Sequence, residues 1–254
     1  MKIEWKGGIG YGDFVTGLGY AHNCAVKYDT DIELVIHWPH EKNYYHHPLD
    51  PESQLDRCIY IYDLFLKKVK LRHIFNSTPW FRFLNNFHEF NPVHGMFDLS
   101  LTTKKENYVL VWDSQKNSSV VGRHKDPLNK KEWNLVKETI QDYNYDVVEV
   151  NYRMPIKEVI SLMASCSGGI GYNGCIQQIF KLIHKPVITF SLRPAYNKLV
   201  LPWTTHYENV GEFILADNLF TESSKQLIKY QKIHNEFILD KQDYTKEKLY
   251  NIYC

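Results

Sequence analysis

The chain has 254 residues, room for one large α/β domain or two small ones at roughly 150 residues per domain. Hydrophobic residues make up 44% and charged residues 23%, which excludes a disordered or fibrous chain. Thirty Lys and Arg against twenty-nine Asp and Glu leave a net charge of +1, so no overall field advertises a polyanionic partner.

The opening segment, Lys2 to Lys6, reads as a short strand. It runs into Gly7-Gly8-Ile9-Gly10-Tyr11-Gly12-Asp13, where four glycines in six residues oppose regular structure and permit close backbone approach. From Phe14 to Tyr28 the apolar residues Phe14, Leu18, Ala21, Ala25 and Tyr28 recur at helical spacing. Glu33 to Trp38 follows as a buried strand, completing a βαβ unit. His37 to Asp56 and Asn76 to Gly95 read as long irregular loops rich in His, Asn and aromatics.

The second half repeats this grammar. Tyr108 to Trp112 is an expected strand, and Asn129 to Tyr143 an expected helix with Trp133, Val136 and Ile140 on its apolar face. Asp146 to Val150 is a strand and Pro155 to Ala164 a helix with Pro at its first turn. A Gly-rich loop from Cys166 to Gly174 then leads to a helix from Cys175 to His184, the strand Pro186 to Phe190, and a last amphipathic helix, Thr221 to Leu239. Alternating β and α segments predict parallel sheets covered by helices. The string Gly-Gly-Ile-Gly-Tyr occurs twice, at 7–11 and 168–172, each copy expected in a loop feeding a helix. This echo and the polar stretch Thr102 to Asn107 point to two small Rossmann-like domains, residues 1–103 and 104–254, facing a cleft.

No apolar run approaches the roughly 18 residues of a membrane span, and Met1 to Lys6 lacks the apolar stretch of a signal peptide. The five cysteines lack paired metal spacing, so reduced thiols and a cytoplasmic location are expected.

Both Gly-rich loops are expected to open helices, whose free N–H groups and positive end favour a phosphate; a tight turn closely packed is the alternative. A dinucleotide fingerprint would need a third glycine where Asp13 stands. The second loop lacks an acid at the end of a following strand, so a nicotinamide or flavin cofactor is not expected. Asp13 itself fits two roles: a capping acid, or a base held ionised at a helix start and approached by substrate through the glycines.

Lys6 to Leu18, with Gly12-Asp13 followed by Leu18, resembles the N-terminal loop of heptosyltransferase-like glycosyltransferases, in which a Gly-Asp pair carries the catalytic base. Ile170 to Phe190 resembles their donor loop, with Lys185-Pro186-Val187 in place. Tyr172 and Asn173 depart from its acid and hydroxyl, Gly174 matches, and Gln177 replaces a His. The run Glu4 to His22, with Phe90 to Gly95 and Val147 to Arg153, is similar to the β-glucosyl-HMC-α-glucosyltransferases of T-even-like phages. That resemblance implies a GT-B fold and an inverting transfer of glucose from UDP-glucose. The implied acceptor is glucosylated 5-hydroxymethylcytosine in double-stranded DNA, and the implied bond is β.

The resemblance implies Asp13 as base, with Gly8, Gly10, Tyr11, Gly12 and His22 on the acceptor side. It places the leaving UDP on Ser167, Gly168, Gly169, Gly171, Tyr172, Asn173, Gly174 and Gln177. Ser114, Lys116 and Arg123 are candidates for phosphate contacts or a solvated polar loop. Glu149 and Arg153 are candidates for the ribose side or plain surface charges.

Asp29-Thr30-Asp31 reads as a turn rather than a metal-holding pair, and the histidines at 37, 40, 46 and 47 lack a completing ligand, so no metal cofactor is expected. Residues 1–104 hold 11 basic and 12 acidic side chains, and residues 105–254 hold 19 and 17. DNA contact therefore falls to a local patch, Lys67, Lys68, Lys70, Arg72 and Arg82 with neighbouring aromatics, unless the Lys run is only a solvated helix face. Two other readings stay open: the same transferase acting on a cell-envelope sugar, and a nucleotide-sugar binding protein without catalysis.

Overall fold

The computed structural model describes residues 2–5, 15, 18, 21–22, 25, 28–39, 60–63, 69–76, 105–113, 128–151, 153–172, 175–191, 204–216 and 218–239. The chain divides into two compact units: residues 1–45, 49–97 and 231–254, and residues 46–48 and 98–230. Each carries its own parallel sheet.

In the first unit β1 (Lys2–Trp5) pairs with β2 (Ile32–Pro39), and β2 pairs with β3 (Val69–Asn76), all parallel. Leu18, Ala21 and Ala25 are helical and fully buried, as the three-and-four spacing predicts; Val15 joins them, Phe14 lies outside the described residues, and Tyr28 is half-buried at the turn. The Asp29 turn ends that stretch in the left-handed region, φ 44°, and the Thr30 amide donates to the Ala25 carbonyl at 3.1 Å. This is the expected turn at Asp29-Thr30-Asp31.

Strand β3 was not expected. The basic run at 67–73 reads as a helix face or a patch, whereas residues 69–76 pair with β2 as a parallel strand, with Val69 buried and Lys70 exposed. Its register sets Val69 beside Ile32, Lys70 beside Glu33 and Arg72 beside Val35. A parallel strand cannot be distinguished from a short amphipathic helix by so brief a pattern. Residues 40–59 and 77–95, where long loops are expected, lie outside the described residues.

The second unit has the strand order β5-β4-β6-β7-β8, every pair parallel. The strands are β4 (Tyr108–Trp112), β5 (Asp146–Glu149), β6 (Gly168–Tyr172), β7 (Val187–Phe190) and β8 (Thr205–Tyr207). Its helices are α1 (Lys130–Asp142), α2 (Ile156–Ser165), α3 (Cys175–Leu182) and α4 (Val210–Ile214), and α5 (Thr221–Leu239) begins in this unit and continues into residues counted with the first. The sequence missed β8 and α4, whose three and five residues are too short to show a period.

One sheet face packs Val109, Val111, Ile170, Ile188 and Phe190 against Trp133, Val136 and Ile140 of α1, with Phe213, Leu219 and Phe220. The other carries Trp112, stacked on Phe180 of α3 with ring centroids 5.6 Å apart. The Tyr108 hydroxyl donates to the Leu162 carbonyl of α2 at 2.7 Å on the same side. Helices therefore cover both faces, the arrangement an all-parallel sheet needs.

The second Gly-Gly-Ile-Gly-Tyr copy overturns the expectation of a loop: Gly168 to Tyr172 is strand β6, inside the sheet. Its glycines exist for packing. A Cβ on Gly171 would lie 2.2 Å from Trp112, one on Gly169 2.5 Å from Phe180, and one on Gly168 2.6 Å from Phe220. Among the described residues no helix is long and apolar enough to cross a membrane.

Helix α1 starts with a capping box. The Asn129 side chain accepts from the Lys131 and Glu132 amides, and Glu132 Oε2 accepts from the Asn129 amide at 2.6 Å. It ends on Asn144 at φ 60°, with the Tyr145 amide donating to the Ile140 carbonyl at 3.3 Å. A left-handed residue at this point costs a side chain roughly 1–2 kcal/mol, least for Asn and nothing for Gly. Asn144→Val is thus expected to lower unfolding stability by about 1–2 kcal/mol, and Asn144→Gly not to lower it, by denaturant midpoints followed with circular dichroism. Equal losses in the two variants would mean that backbone conformation does not set the requirement at this site.

Candidate functional site

The order of the second sheet defines where a ligand can bind. The chain leaves β4 for β5 on one side, then crosses to β6 on the other. The chain therefore leaves β4 and β6 towards opposite sides of the sheet, the order at which doubly wound sheets bind ligands beyond their strand ends. Described residues at this edge are Trp112 at the end of β4 and Asp113 after it, Glu149 at the end of β5, and Tyr172 at the end of β6.

Asp113 is buried and Glu149 largely open. Lys137, from α1, joins them: its Nζ lies 2.8 Å from Glu149 Oε1 and 3.8 Å from Asp113 Oδ2. Sequence reasoning passed over Asp113 and Lys137. The signal for Asp113 was present, an acid directly after a fully apolar strand, where parallel-sheet proteins place ligand-facing groups. Nothing in the sequence pairs Lys137 with it.

Trp112 closes the β4–β6 ladder. The last paired residues are Trp112 and Gly171, and the Trp112 Nε1–H donates to the Tyr172 carbonyl at 2.7 Å. The indole lies against the side-chain-free faces of Gly169 and Gly171.

The expected donor residues separate. Tyr172 stands at the switch-point edge. Ser167 stands at the opposite edge, its amide donating to the Tyr108 carbonyl at 2.8 Å and its hydroxyl to the Glu106 carbonyl at 3.1 Å. Five residues of strand set the two about 16 Å apart, so Ser167 does not share a pocket with Tyr172. Gly168, Gly169 and Gly171 are enclosed in the sheet, and their expected loop placement is corrected to strand.

Gln177 was expected to face the donor and instead has no exposed surface. Its Nε2 donates to Thr189 Oγ1 at 3.2 Å and Thr204 Oγ1 at 3.4 Å. Those hydroxyls hold the two ring nitrogens of the buried His206, Nδ1 at 2.8 Å and Nε2 at 2.7 Å. Its Nε2 is committed to an interior network tying α3 to β7 and β8.

Glu149 is paired with Lys137, and Arg153 is exposed with its amide donating to Asn151 Oδ1 at 2.9 Å. His22 is buried within the helical stretch of the first unit, inside the helix expected over Phe14 to Tyr28. Lys70 is exposed on β3, and Arg72 shares that strand. Asp13, Gly8, Gly10, Tyr11, Gly12, Ser114, Lys116, Arg123, Asn173, Gly174, Lys67, Lys68 and Arg82 lie outside the described residues.

Lys185, part of the expected donor segment, donates from Nζ to the Cys166 carbonyl, at the edge away from Tyr172. Burial pushes the Cys166 thiol up to about 11, while Lys185 opposes the shift. That thiol is held neutral and inert.

Removing Lys137 would leave the buried Asp113 beside a second carboxylate without their shared cation. Lys137→Met is expected to destabilise the protein by about 1–2 kcal/mol, because it removes both the exposed Glu149 bond and the longer ion pair with the buried Asp113. Glu149→Gln should cost under about 1 kcal/mol, because an exposed partner is screened. Chemical denaturation of both variants checks the order, and a larger loss for Glu149→Gln would overturn this account of the triad.

No protein-family model matches the chain, and no curated protein matches it in sequence. Among solved structures it is similar to the dodecameric iron-containing heptosyltransferase TibC in complex with ADP-D-β-D-heptose. Identity is 12% and TM-score 0.49, over 93% of this chain and 76% of that one. A second structure, the bacterial iron-containing dodecameric glycosyltransferase TibC from enterotoxigenic E. coli, gives 12% identity and a TM-score of 0.47, over 92% and 75%.

Proposed function

We propose that the chain is an inverting GT-B-type glycosyltransferase, with residues 104–254 taking a nucleotide sugar and residues 1–103 serving the acceptor. The observation that carries this reading is the doubly wound parallel sheet of the second unit. It brings the ends of β4 and β6 together at a switch point, with α3 following β6 after two residues. Strand ends and a helix start in this relation suit a nucleotide diphosphate, whose charge is met by backbone N–H groups. The resemblance of Glu4 to His22 to the phage glucosyltransferases adds the donor, UDP-glucose, and the acceptor, glucosylated 5-hydroxymethylcytosine in double-stranded DNA.

An α-linked donor and a β product require one in-line displacement. The acceptor hydroxyl oxygen bonds to the anomeric carbon while the bond from that carbon to the diphosphate oxygen breaks. The hydroxyl proton passes to the Asp13 carboxylate, and UDP departs with the electron pair. Main-chain donors at the end of β6 and the start of α3 would stabilise the charge on the departing diphosphate, so the reading invokes no metal cofactor. The net charge of +1 favours a second reading, the same chemistry on a smaller sugar acceptor, because it gives DNA no broad attraction.

Incubation with UDP-glucose and either glucosylated or unmodified hydroxymethylcytosine DNA, followed by nucleoside mass spectrometry, separates these readings. One added hexose on the glucosylated nucleoside is expected. UDP binding without DNA transfer would move the assignment to another acceptor or to a binding protein, and no UDP binding at all would remove the transferase reading. Asp13→Asn should lower turnover at least about 100-fold with UDP affinity retained; unchanged turnover would leave Asp13 as a helix cap.

A further inference from the structure

The structure assigns Trp112 a role the sequence did not suggest: we infer that it is a positioning residue, whose indole N–H fixes the carboxyl end of β6 from which the chain enters α3. Three observations converge on this one side chain. It is the last residue of β4 and pairs with Gly171, the last step of the β4–β6 ladder. Its Nε1–H reaches one residue further, donating to the Tyr172 carbonyl at 2.7 Å. Its ring is only 1% exposed and stacks on Phe180 of α3, centroids 5.6 Å apart and planes 22° apart.

The same indole thus touches strand β6 and the helix α3 that follows it. The contact requires glycine: a Cβ on Gly171 would lie 2.3 Å from Cδ2 and 2.4 Å from Nε1 of Trp112. An indole is suited to the place because it supplies a large apolar face with a single donor at its rim. A phenylalanine would fill much of the space and leave the Tyr172 carbonyl without that donor. The link from this anchor to donor binding rests on the transferase reading, whereas the anchor itself does not.

Two measurements keep these apart. In hydrogen exchange without any nucleotide, Trp112→Phe is expected to speed exchange of the amides at 175–180 about fivefold, the effect of one net hydrogen bond, and to leave 130–142 unchanged. Trp133→Phe is the control, since Trp133 is equally buried but packs edge-on to Phe190 on the other sheet face. It should disturb 130–142 and spare 175–180. In titration calorimetry the UDP dissociation constant should rise about fivefold in Trp112→Phe and stay unchanged in Trp133→Phe.

Unchanged exchange at 175–180 in Trp112→Phe overturns the anchor, whatever UDP does. Normal UDP affinity despite faster exchange overturns the link to the donor site. A wild-type protein that ignores UDP removes the transferase reading, and the exchange data still decide the anchor. If Trp112→Phe does not fold, the wild-type indole proton decides: its NMR signal should resist exchange as long as the β6 amides, and free exchange would overturn the proposal.

Discussion

A tryptophan lying against a strand with three glycines in its five residues sets the terms for the second unit. β6 sits inside the sheet with Gly168, Gly169 and Gly171 facing Phe220, Phe180 and Trp112 at distances that no Cβ would tolerate. Glycine in a strand interior ordinarily weakens it, since it orders at high entropic cost and packs nothing. Here the backbone is itself the packing surface. The aromatic rings that lie on it recover burial that the glycines forgo, at roughly 25 cal/mol per Å² of apolar area removed from water. Both faces of β6 depend on this, because Gly168 admits Phe220 to the cluster around Trp133 and Phe190 while Gly169 and Gly171 admit the Trp112–Phe180 stack.

That packing has a consequence for the edge where strands end. In a doubly wound sheet the precision of a ligand site is set by how well the strand ends and following helices are held. The Tyr172 carbonyl is held by an indole, and the first turns of α3 are held from inside by Gln177 on Thr189 and Thr204. At the opposite edge, Asn144 and His184 end their helices in the left-handed region, φ 60° and 52°. The Tyr145 and Lys185 amides then return to the Ile140 and Phe180 carbonyls. The same closure after α1 and α3 sends the chain directly into β5 and β7.

Element type was legible wherever period and caps agreed. Asn129 with Glu132 three residues on announces α1, and the apolar positions Trp133, Val136 and Ile140 are buried as their spacing predicts. The site was legible only in outline. Glycine clusters carry two meanings, a chain that turns and a strand on which something large rests, and composition cannot separate them. The partner that decides, Trp112, is some sixty residues away in sequence, and only strand pairing brings it to Gly171. Gln177 misled for a related reason. Its place early in a helix after a Gly-rich segment suits a ligand contact, but the threonines that claim it, Thr189 on β7 and Thr204 just before β8, come later in the chain.

Charge at the switch point sharpens what the near-neutral composition implies. Asp113 and Glu149 share Lys137, two carboxylates for one ammonium, so these three residues carry about one negative charge between them. A diphosphate approaching Tyr172 would be repelled by that excess unless cations or backbone donors outweigh it. Carboxylates at strand ends suit hydroxyl groups better, since they accept hydrogen bonds and donate none. A nucleotide sugar would then lie with its ribose towards the β5 side and its diphosphate towards β6 and α3. Lys137 would act by orienting Glu149 rather than by touching phosphate. The two ends of the ligand would be recognised by opposite means, acids for hydroxyls and backbone N–H groups for phosphate, so that a protein with a net charge of +1 could bind a dianion without a basic field.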